Sequence, residues 1–212
     1  MAYWDRGLWW RLVRTVNPEA SLDPLTVAAV RDDHLKLTNG SAEDAYVQRL
    51  IDVSLAYAER ITRRRLLTQT WALLLDRFPA EYIELPIAPI QEVVSITYVD
   101  PDGVTQTWGS SPFPYVVTNP TVESNEKATI RLGFNETFPS TRAQPEAVRV
   151  TVTVGYPEVG SPLVCDVPDD IEHGRLLVIG ELYKQRTESV HGLASTPAII
   201  RARDLWLQHR VY

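Results

Sequence analysis

The stretch SAEDAYVQRLIDVSLAYAERITRRR, residues 41–65, decides the fold, because its helical pattern is followed at once by a series of strand patterns. Apolar side chains recur in it every three or four residues, which is the period of an amphipathic helix with one buried face. The residues on that face are Tyr46, Leu50, Val53, Tyr57 and Ile61. The segment therefore predicts one long helix that packs against other parts of the protein and ends in arginines.

These arginines, Arg60, Arg63, Arg64 and Arg65, form a basic cluster at the predicted end of the helix. Exposed carbonyl groups at a helix C-terminus favour cations, and this alone accounts for the cluster. The alternative is contact with an acidic partner or with nucleic acid phosphate, since guanidinium groups bind both through paired hydrogen bonds. Both interpretations stay open at the level of the sequence.

After the arginines the apolar period changes from helical to alternating, which predicts β-strands with one wet face. Such alternation occurs in residues 71–75, 83–85, 94–98, 128–132 and 148–154. The sequence Asp100-Pro101-Asp102-Gly103 joins residues that favour a tight turn, because proline presets one dihedral angle and glycine tolerates positive φ. We therefore expect a hairpin that returns through residues 104–108.

Helical patterns come back near the C-terminus. Residues 169–184 predict one helix, and Pro197 suits the first turn of a last one, in which Ile199, Arg203, Trp206 and Arg210 recur on a stripe. The fold class predicted is α+β: a discontinuous helical bundle formed by residues 21–65 and 165–212, with a β-rich antiparallel insertion at residues 66–164. Residues 1–20 are expected to form an N-terminal aromatic arm.

Composition and charge exclude several classes of protein. No apolar run approaches the roughly 18 residues that cross a membrane, and the single Cys165 excludes an internal disulfide and suits synthesis in a reducing cytoplasm. The β-rich insertion holds 5 Lys and Arg against 11 Asp and Glu. That balance does not suit a sequence-specific nucleic-acid binder, which needs a basic patch. An acidic surface either lets duplex DNA slide past without adhering or only keeps the protein soluble.

Catalysis is not predicted, and neither is a metal or a cofactor. The densest polar cluster, Asp169, Asp170, Glu172 and His173, lies at a predicted helix start, where carboxylates are expected for capping and dipole reasons alone. The sequence has no glycine-rich phosphate loop, no nucleophile elbow and no zinc-binding helix motif.

The tryptophans suggest two further hypotheses. Trp4, Trp9, Trp10 and Trp108 have the aromatic faces that stack on glycans or bases, so a ligand-binding β module flanked by helices is the alternative function. For Tyr3, Trp4, Trp9 and Trp10 the other hypothesis is an apolar arm that packs against a neighbouring subunit or ring.

Several segments, in their order and spacing, resemble one family. They are PLTVAAVRDDHL (24–35), LTQTW (67–71), LDRFP (75–79), IELPIAPI (83–90), VSITYVDPDG (94–103), VTVTVGY (150–156) and VPDDI (167–171). The chain from about residue 22 to its end resembles the head-tail connector adaptors, or head-completion proteins, of long-tailed phages and related gene transfer agents.

The resemblance implies a structural protein of a virion or phage-like particle, synthesised in the bacterial cytoplasm. Such adaptors form a ring, typically dodecameric, beneath the portal protein and provide the platform for the neck and tail-completion (stopper) protein. Packaged double-stranded DNA passes through without sequence specificity, and no membrane is involved. In the family a C-terminal segment reaches the portal, which implies portal contacts at Ile199, Ile200, Leu205, Trp206 and Leu207. On this basis, deleting residues 197–212 is expected to leave a soluble fold and abolish portal binding.

Overall fold

The computed structural model describes residues 9–38, 40–109, 114–118, 125–185 and 196–212. Its internal contacts divide the chain into two units. The β unit comprises Met1–Glu19 and Leu67–Gly155, and the helical unit comprises Ala20–Leu66 and Tyr156–Tyr212. The chain is therefore an α+β protein with antiparallel sheets, and the helices from both ends of the sequence lie in the same unit.

The β unit contains two antiparallel sheets. Its strands are β1 (Trp10–Val16), β2 (Gln69–Leu75), β3 (Tyr82–Glu84), β4 (Ile90–Val99), β5 (Thr105–Trp108), β6 (Tyr115–Thr118), β7 (Thr129–Leu132) and β8 (Val148–Val154). The larger sheet has the order β1-β2-β8-β4-β5 and the smaller one the order β3-β7-β6. Strand β8, the last strand of this unit in the sequence, lies in the middle of the larger sheet, between β2 and β4.

Alternating apolar side chains from both sheets build one core. Val148, Val150, Val152 and Val154 of β8 are all buried, while Arg149 between them is exposed. Further core residues from the other strands are Leu73, Leu75, Ile83, Ile96 and Ile130. The predicted strands of residues 71–75, 128–132 and 148–154 are thus confirmed as strands. The predicted wet face is wrong for β2, because Ala72 and Leu74 are as buried as Leu73 and Leu75.

Strand β4 departs from the simple alternation that the sequence predicts. Its pairing with β8 shifts register between Ile90 and Glu92 and again between Val93 and Ser95. At such a β-bulge one extra residue is left unpaired, and the residues before it change face. As a result Val94, predicted on the same side as Ile96, is exposed, and Val93 packs against the core instead.

The predicted hairpin is confirmed. Gly103 adopts φ +88° and its N–H donates to the Asp100 carbonyl oxygen at 2.9 Å, after which β5 returns along β4. The Asp100 carboxylate accepts hydrogen bonds from the side chain of Gln106 and from the backbone N–H groups of Asp102 and Val104. These bonds, the one from Gln106 foremost, hold the pKa of Asp100 below its usual range.

The N-terminal segment differs from the arm that the sequence predicts. Strand β1 pairs antiparallel with β2, so that Leu12 lies opposite Leu73 and packs against the core. Most of its other residues are exposed, which is usual for an edge strand. An exposed edge strand carries only a weak alternating pattern, and this is why the sequence shows aromatic residues here but no clear strand.

The helical unit contains α1 (Val27–Ala29), which continues as a π-helical turn at Val30–His34, and the longer helices α2 (Asp44–Thr62), α3 (Asp169–Lys184) and α4 (Pro197–Leu207). It also holds a short ribbon of β9 (Glu158–Val159) and β10 (Val164–Cys165). Helices α2, α3 and α4 pack against one another. The predicted helix over residues 169–184 is confirmed.

A glycine at the end of β8 supports our first prediction. Gly155 has φ +116°, and a Cβ added there would lie 2.4 Å from the carbonyl oxygen of Leu67. Gly155→Ala is therefore expected to lower the free energy of unfolding by about 2–3 kcal/mol, through backbone strain and the displacement of Leu67. Gly40→Ala is the matched control, because Gly40 also has positive φ, +58°, but meets nothing within 4 Å. Urea unfolding of both variants measures the difference, and equal losses would contradict the prediction.

Candidate assembly surfaces

Helix α4 is fixed in the helical unit by Trp206. The Trp206 indole is fully buried, its Nε1–H donates to the carbonyl oxygen of Ile171 at 3.1 Å, and the ring meets Tyr57 edge to face at 5.4 Å. A Cβ added to Gly174 would lie 2.4 Å from the indole Nε1, so the missing side chain there makes room for the ring. Trp206 thus joins α4 to both α2 and α3.

This burial corrects two of the predicted portal contacts. Ile199 and Trp206 belong to the core of the helical unit, because they lie with Ala202 on the face of α4 that packs against α2 and α3. Arg203, predicted on the same stripe as Ile199 and Trp206, is exposed. Ile200 has 48% of its surface exposed, and Leu205 and Leu207 are half-buried. The part of the predicted portal surface that is accessible is therefore Ile200, with partial contributions from Leu205 and Leu207.

The basic cluster is also divided by the structure. Arg63 adopts φ +57° and ends α2, which turns the next residue inward. Arg64 is only 1% exposed, and its Nε–H donates to the His209 carbonyl oxygen at 2.6 Å. Arg65 forms an ion pair with Glu59 at 2.8 Å. Arg64 is thus not accessible to a partner or a phosphate in this structure, because its guanidinium group is used inside the protein.

The exposed members of the cluster are Arg60 and Arg63. The Arg60 guanidinium lies 5.1 Å from the centre of the Tyr57 ring, in cation–π geometry. Both cations lie at the C-terminal end of α2, where the helix dipole favours positive charge. These two residues are what remains of the cluster as a surface for an acidic partner.

A hydrogen-bonded clasp holds the C-terminal residues and is not visible in the sequence. Besides accepting from Arg64, His209 places its Nε2 2.6 Å from an Asp170 carboxylate oxygen, and the N–H of Val211 donates to the Thr62 carbonyl oxygen at 3.0 Å. Burial raises the pKa of the neighbouring Tyr156, against the opposing charge of Arg64. The clasp ties the end of the chain to the end of α2 and the start of α3.

A buried ion pair is the second feature that sequence reasoning missed. Both terminal nitrogens of Arg175 donate to the Asp23 carboxylate, at 2.8 and 2.6 Å, and its Nε–H lies 3.3 Å from the Ser54 hydroxyl oxygen. Asp23 also accepts the backbone N–H of Leu25 at 2.9 Å. The pair therefore connects the segment before α1 with α2 and α3.

The N-terminal aromatic set lies only partly within the structure. Tyr3 and Trp4 fall outside the described residues. Trp9 is 46% exposed and Trp10 is 38% exposed, and the Arg11 guanidinium lies 5.9 Å from the Trp9 ring centre. This exposure leaves both indoles accessible to a partner.

Trp108, by contrast, does not offer a stacking surface. Its ring lies 5.4 Å from Phe78, 5.2 Å from Phe138 and 5.1 Å from Tyr115, within an aromatic cluster packed on the core of the β unit. A tryptophan held in this way cannot present a free face to a glycan or a base. The hypothesis of a ligand-binding β module therefore loses Trp108 as a candidate stacking surface.

The polar residues at the start of α3 are engaged in structure. Asp170 receives the N–H of Ile171 as well as the contact from His209. Burial raises the pKa of Glu172, and Arg175 acts in the opposite direction. Within the described residues, no group of three or more His, Cys, Asp and Glu side chains is placed to hold a metal ion. Among the same residues, no helix is both long and apolar enough to cross a membrane.

Comparison with solved structures shows which known chains share this architecture. A chain in the structure titled "Neck of empty GTA particle computed with C6 symmetry" matches with a TM-score of 0.71 and 20% identity, over 95% of this chain and 96% of that one. The protein has the fold of a gene transfer agent neck chain. The resemblance seen in the sequence is thereby confirmed at the level of the fold.

Two further structures agree. A chain from "Virion of native gene transfer agent (GTA) particle" gives a TM-score of 0.69 at 21% identity, over 95% of both chains. One from "Neck of native GTA particle computed with C12 symmetry" gives 0.64 at 18%, over 93% of this chain and 96% of that one. No protein-family model and no curated protein matches the sequence. The neck-type fold thus spans both the β unit and the helical unit.

Proposed function

We propose that this protein is a head-to-tail adaptor of a tailed phage or phage-like particle, a structural protein without enzymatic activity. The observation that carries the proposal is the match to chains of gene transfer agent particles, two of them from structures of the neck, over 93–95% of this chain. A match that covers both units is more specific than a shared small motif, because each unit alone is built from common elements. Because a shared fold does not by itself establish a function, the proposal also depends on the accessible surfaces of this protein.

The adaptor acts as a closed homo-oligomeric ring beneath the portal, with the dodecamer as the proposed form. The titles of two matched structures give C12 and C6 symmetry for neck particles, and twelve-fold symmetry contains six-fold symmetry. A ring of identical subunits closes through head-to-tail contacts at one correct rotation. Accessible apolar side chains on both units, including Trp9, Trp10 and Ile200, provide surface for such contacts.

Each face of the ring is assigned one partner. The portal contacts Ile200 and Leu207, which share one flank of α4, with Leu205 at the margin, and the neck or tail-completion protein docks on the opposite face. The indoles of Trp9 and Trp10 meet a neighbouring subunit or ring. Arg60 and Arg63 meet an acidic partner. The protein is synthesised in the bacterial cytoplasm and ends in the neck of the particle.

Packaged duplex DNA passes through the channel of the ring without sequence-specific contacts. The segment of residues 66–164, which holds the internal strands of the β unit, carries 11 Asp and Glu against 5 Lys and Arg. Like charges repel over a Debye length of about 8–10 Å. A channel lined by this excess of acidic residues lets the duplex slide past without adhering.

Mass photometry of the full chain, with and without the portal protein of the same particle, tests the proposal. We expect small species for the protein alone and a ring of about twelve copies on the portal. If the protein stays monomeric and unbound at micromolar portal while it binds an oligosaccharide or an oligonucleotide, the proposal is wrong and the ligand-binding module takes its place.

A point substitution is a sharper test of the portal contact than the deletion of residues 197–212. Ile199, Ala202, Trp206 and Val211 are buried in the helical unit, so removing this segment would unfold the unit and abolish binding for a trivial reason. Ile200→Ser removes exposed apolar surface and leaves the core intact. We expect portal affinity to fall about tenfold, as for an apolar side chain that is half-exposed before binding.

Arg201→Ser on the same helix is the matched control, since Arg201 is exposed but polar. Surface plasmon resonance against immobilised portal measures both affinities, and thermal unfolding verifies that both variants fold. Equal affinities for Ile200→Ser and the unsubstituted protein would remove Ile200 from the portal surface.

A further inference from the structure

One aromatic side chain in the β unit stands entirely in solvent. Phe134 is 100% exposed, in the turn that follows β7. This turn is well fixed: the N–H of Gly133 donates to the Pro114 carbonyl oxygen at 2.8 Å, and the N–H of Glu136 donates to the Gly133 carbonyl oxygen at 3.2 Å. Asn135, with φ +64°, completes the turn. Phe134 is thus an exposed apolar side chain on a hydrogen-bonded turn, and we call this side chain the knob.

The helical unit contains a cavity large enough to receive a phenyl ring. It has a volume of about 360 Å³ and lies between the π-helical turn, the C-terminal half of α3 and the start of α4. This volume lies at the small end of the range of about 300–1,000 Å³ for ligand pockets, and it has room for a single aromatic side chain. Its apolar lining consists of Leu35, Leu177, Tyr183 and Ala198.

The walls of this cavity are positioned by specific contacts. The Tyr183 hydroxyl donates to a Glu43 carboxylate oxygen at 2.7 Å, which fixes its ring in the wall. Gly180 lines the cavity without a side chain, and a Cβ added there would lie 3.1 Å from His34 Nε2. Lys184 also lines the cavity and supplies a cation that can face an aromatic ring. Glu181 lines the cavity as well, so the cavity combines apolar walls with one group of each charge, of which Lys184 is the one that can face an inserted phenyl ring.

We propose that Phe134 of one copy of this chain inserts into the cavity formed by Leu35, Leu177, Tyr183 and Ala198 of the next copy. The knob lies on the β unit and the cavity on the helical unit, so the contact joins two different surfaces of the chain. Contacts of this kind are head-to-tail and close into a ring when the rotation permits. The inference rests on the proposed homo-oligomeric ring and specifies which side chain and which cavity meet in it.

Cysteine cross-linking tests the contact directly, because Cys165 is buried and does not interfere. Full-length Phe134→Cys and Ala198→Cys are mixed at high concentration and oxidised, with Val104→Cys replacing Phe134→Cys as the matched control, since Val104 is also an exposed apolar residue of the β unit. We expect a covalent dimer containing one copy of each variant for the Phe134 pair and little for the Val104 pair. Equal yields for the two pairs, or no dimer with the Phe134 pair, would overturn the inference.

Substitution supplies an independent readout. Phe134→Ser and Ala198→Glu are each expected to weaken self-association, measured by sedimentation velocity, on the order of 30-fold, as for the loss of a buried aromatic anchor. Monomer stability should stay unchanged, because Phe134 is fully exposed and a glutamate in the first turn of α4 suits the helix dipole. Unchanged self-association in both variants would overturn the inference.

These results separate the inference from the function on which it rests. Rings that form on the portal with Phe134→Ser at the affinity of the unsubstituted protein would show that the adaptor function is right and the knob contact wrong. Absence of any ring with the unsubstituted protein would remove both.

Discussion

Replacing Arg175 by alanine is expected to destabilise the helical unit by about 3–5 kcal/mol, which is the usual cost of removing one partner of a buried ion pair. The Arg175 side chain is fully buried and the Asp23 side chain is only 7% exposed, so the substitution leaves a carboxylate without its two strongest donors in a site that water barely reaches. Urea unfolding followed by circular dichroism at the helix band measures the loss, because the long helices belong to this unit.

The double variant Asp23→Leu with Arg175→Met is the matched control. It removes both charges and keeps apolar volume, and such replacements of a buried pair are often neutral. We expect it to recover most of the stability that Arg175→Ala loses. A loss below about 1 kcal/mol for Arg175→Ala, in the range of exposed pairs, would contradict the buried pair.

Local patterns in the sequence predicted the elements whose side chains have a single buried face. Helix α3 and strand β8 are of this kind, and their predicted extents agree with the structure. Strand β1 is exposed along most of its length, so burial leaves little trace in its sequence. In β4 the two bulges move Val94 to the surface, and a bulge depends on the partner strand rather than on the strand's own residues.

Contacts between distant residues could not be predicted in this way. Asp23 and Arg175 are 152 residues apart, and Arg64 and His209 are 145 apart. A charged residue in a sequence is expected at the surface, and only the approach of a specific partner allows its burial. The sequence therefore placed Arg64 with its exposed neighbours, although the left-handed turn at Arg63 sends it inward.

In helix α4, too, the sequence alone could not show which of the predicted portal contacts face outward. Successive residues are rotated by about 100° around a helix axis, so five residues between 199 and 207 cannot all face one partner. Ile199 and Trp206 point into the unit, Ile200 and Leu207 share one flank, and Leu205 lies on the other. If one flat surface of the portal meets α4, Ile200 and Leu207 form the pair that can reach it together.

Replacing Trp206 by alanine separates a core role from a portal role, and its expected effect is of the same size as that of Arg175→Ala. The substitution removes a fully buried indole, its hydrogen bond to Ile171 and its edge contact with Tyr57. Tryptophan-to-alanine changes in cores cost about 3–5 kcal/mol, through lost transfer free energy and the cavity left behind. We expect this loss in the isolated protein, without any portal present, measured by the same urea unfolding.

Two companion variants make the prediction specific. Trp206→Phe keeps an aromatic ring but loses the donor to Ile171, so it should lose less stability than Trp206→Ala. Gly174→Ala places a methyl group against the indole and should cost about 1–3 kcal/mol by overpacking, although alanine normally stabilises a helix. If Trp206→Ala unfolded like the unsubstituted protein but failed to bind the portal, Trp206 would belong to the portal surface after all. A stable Gly174→Ala would likewise argue against the close packing of α3 on α4, because the methyl group has no other space to occupy.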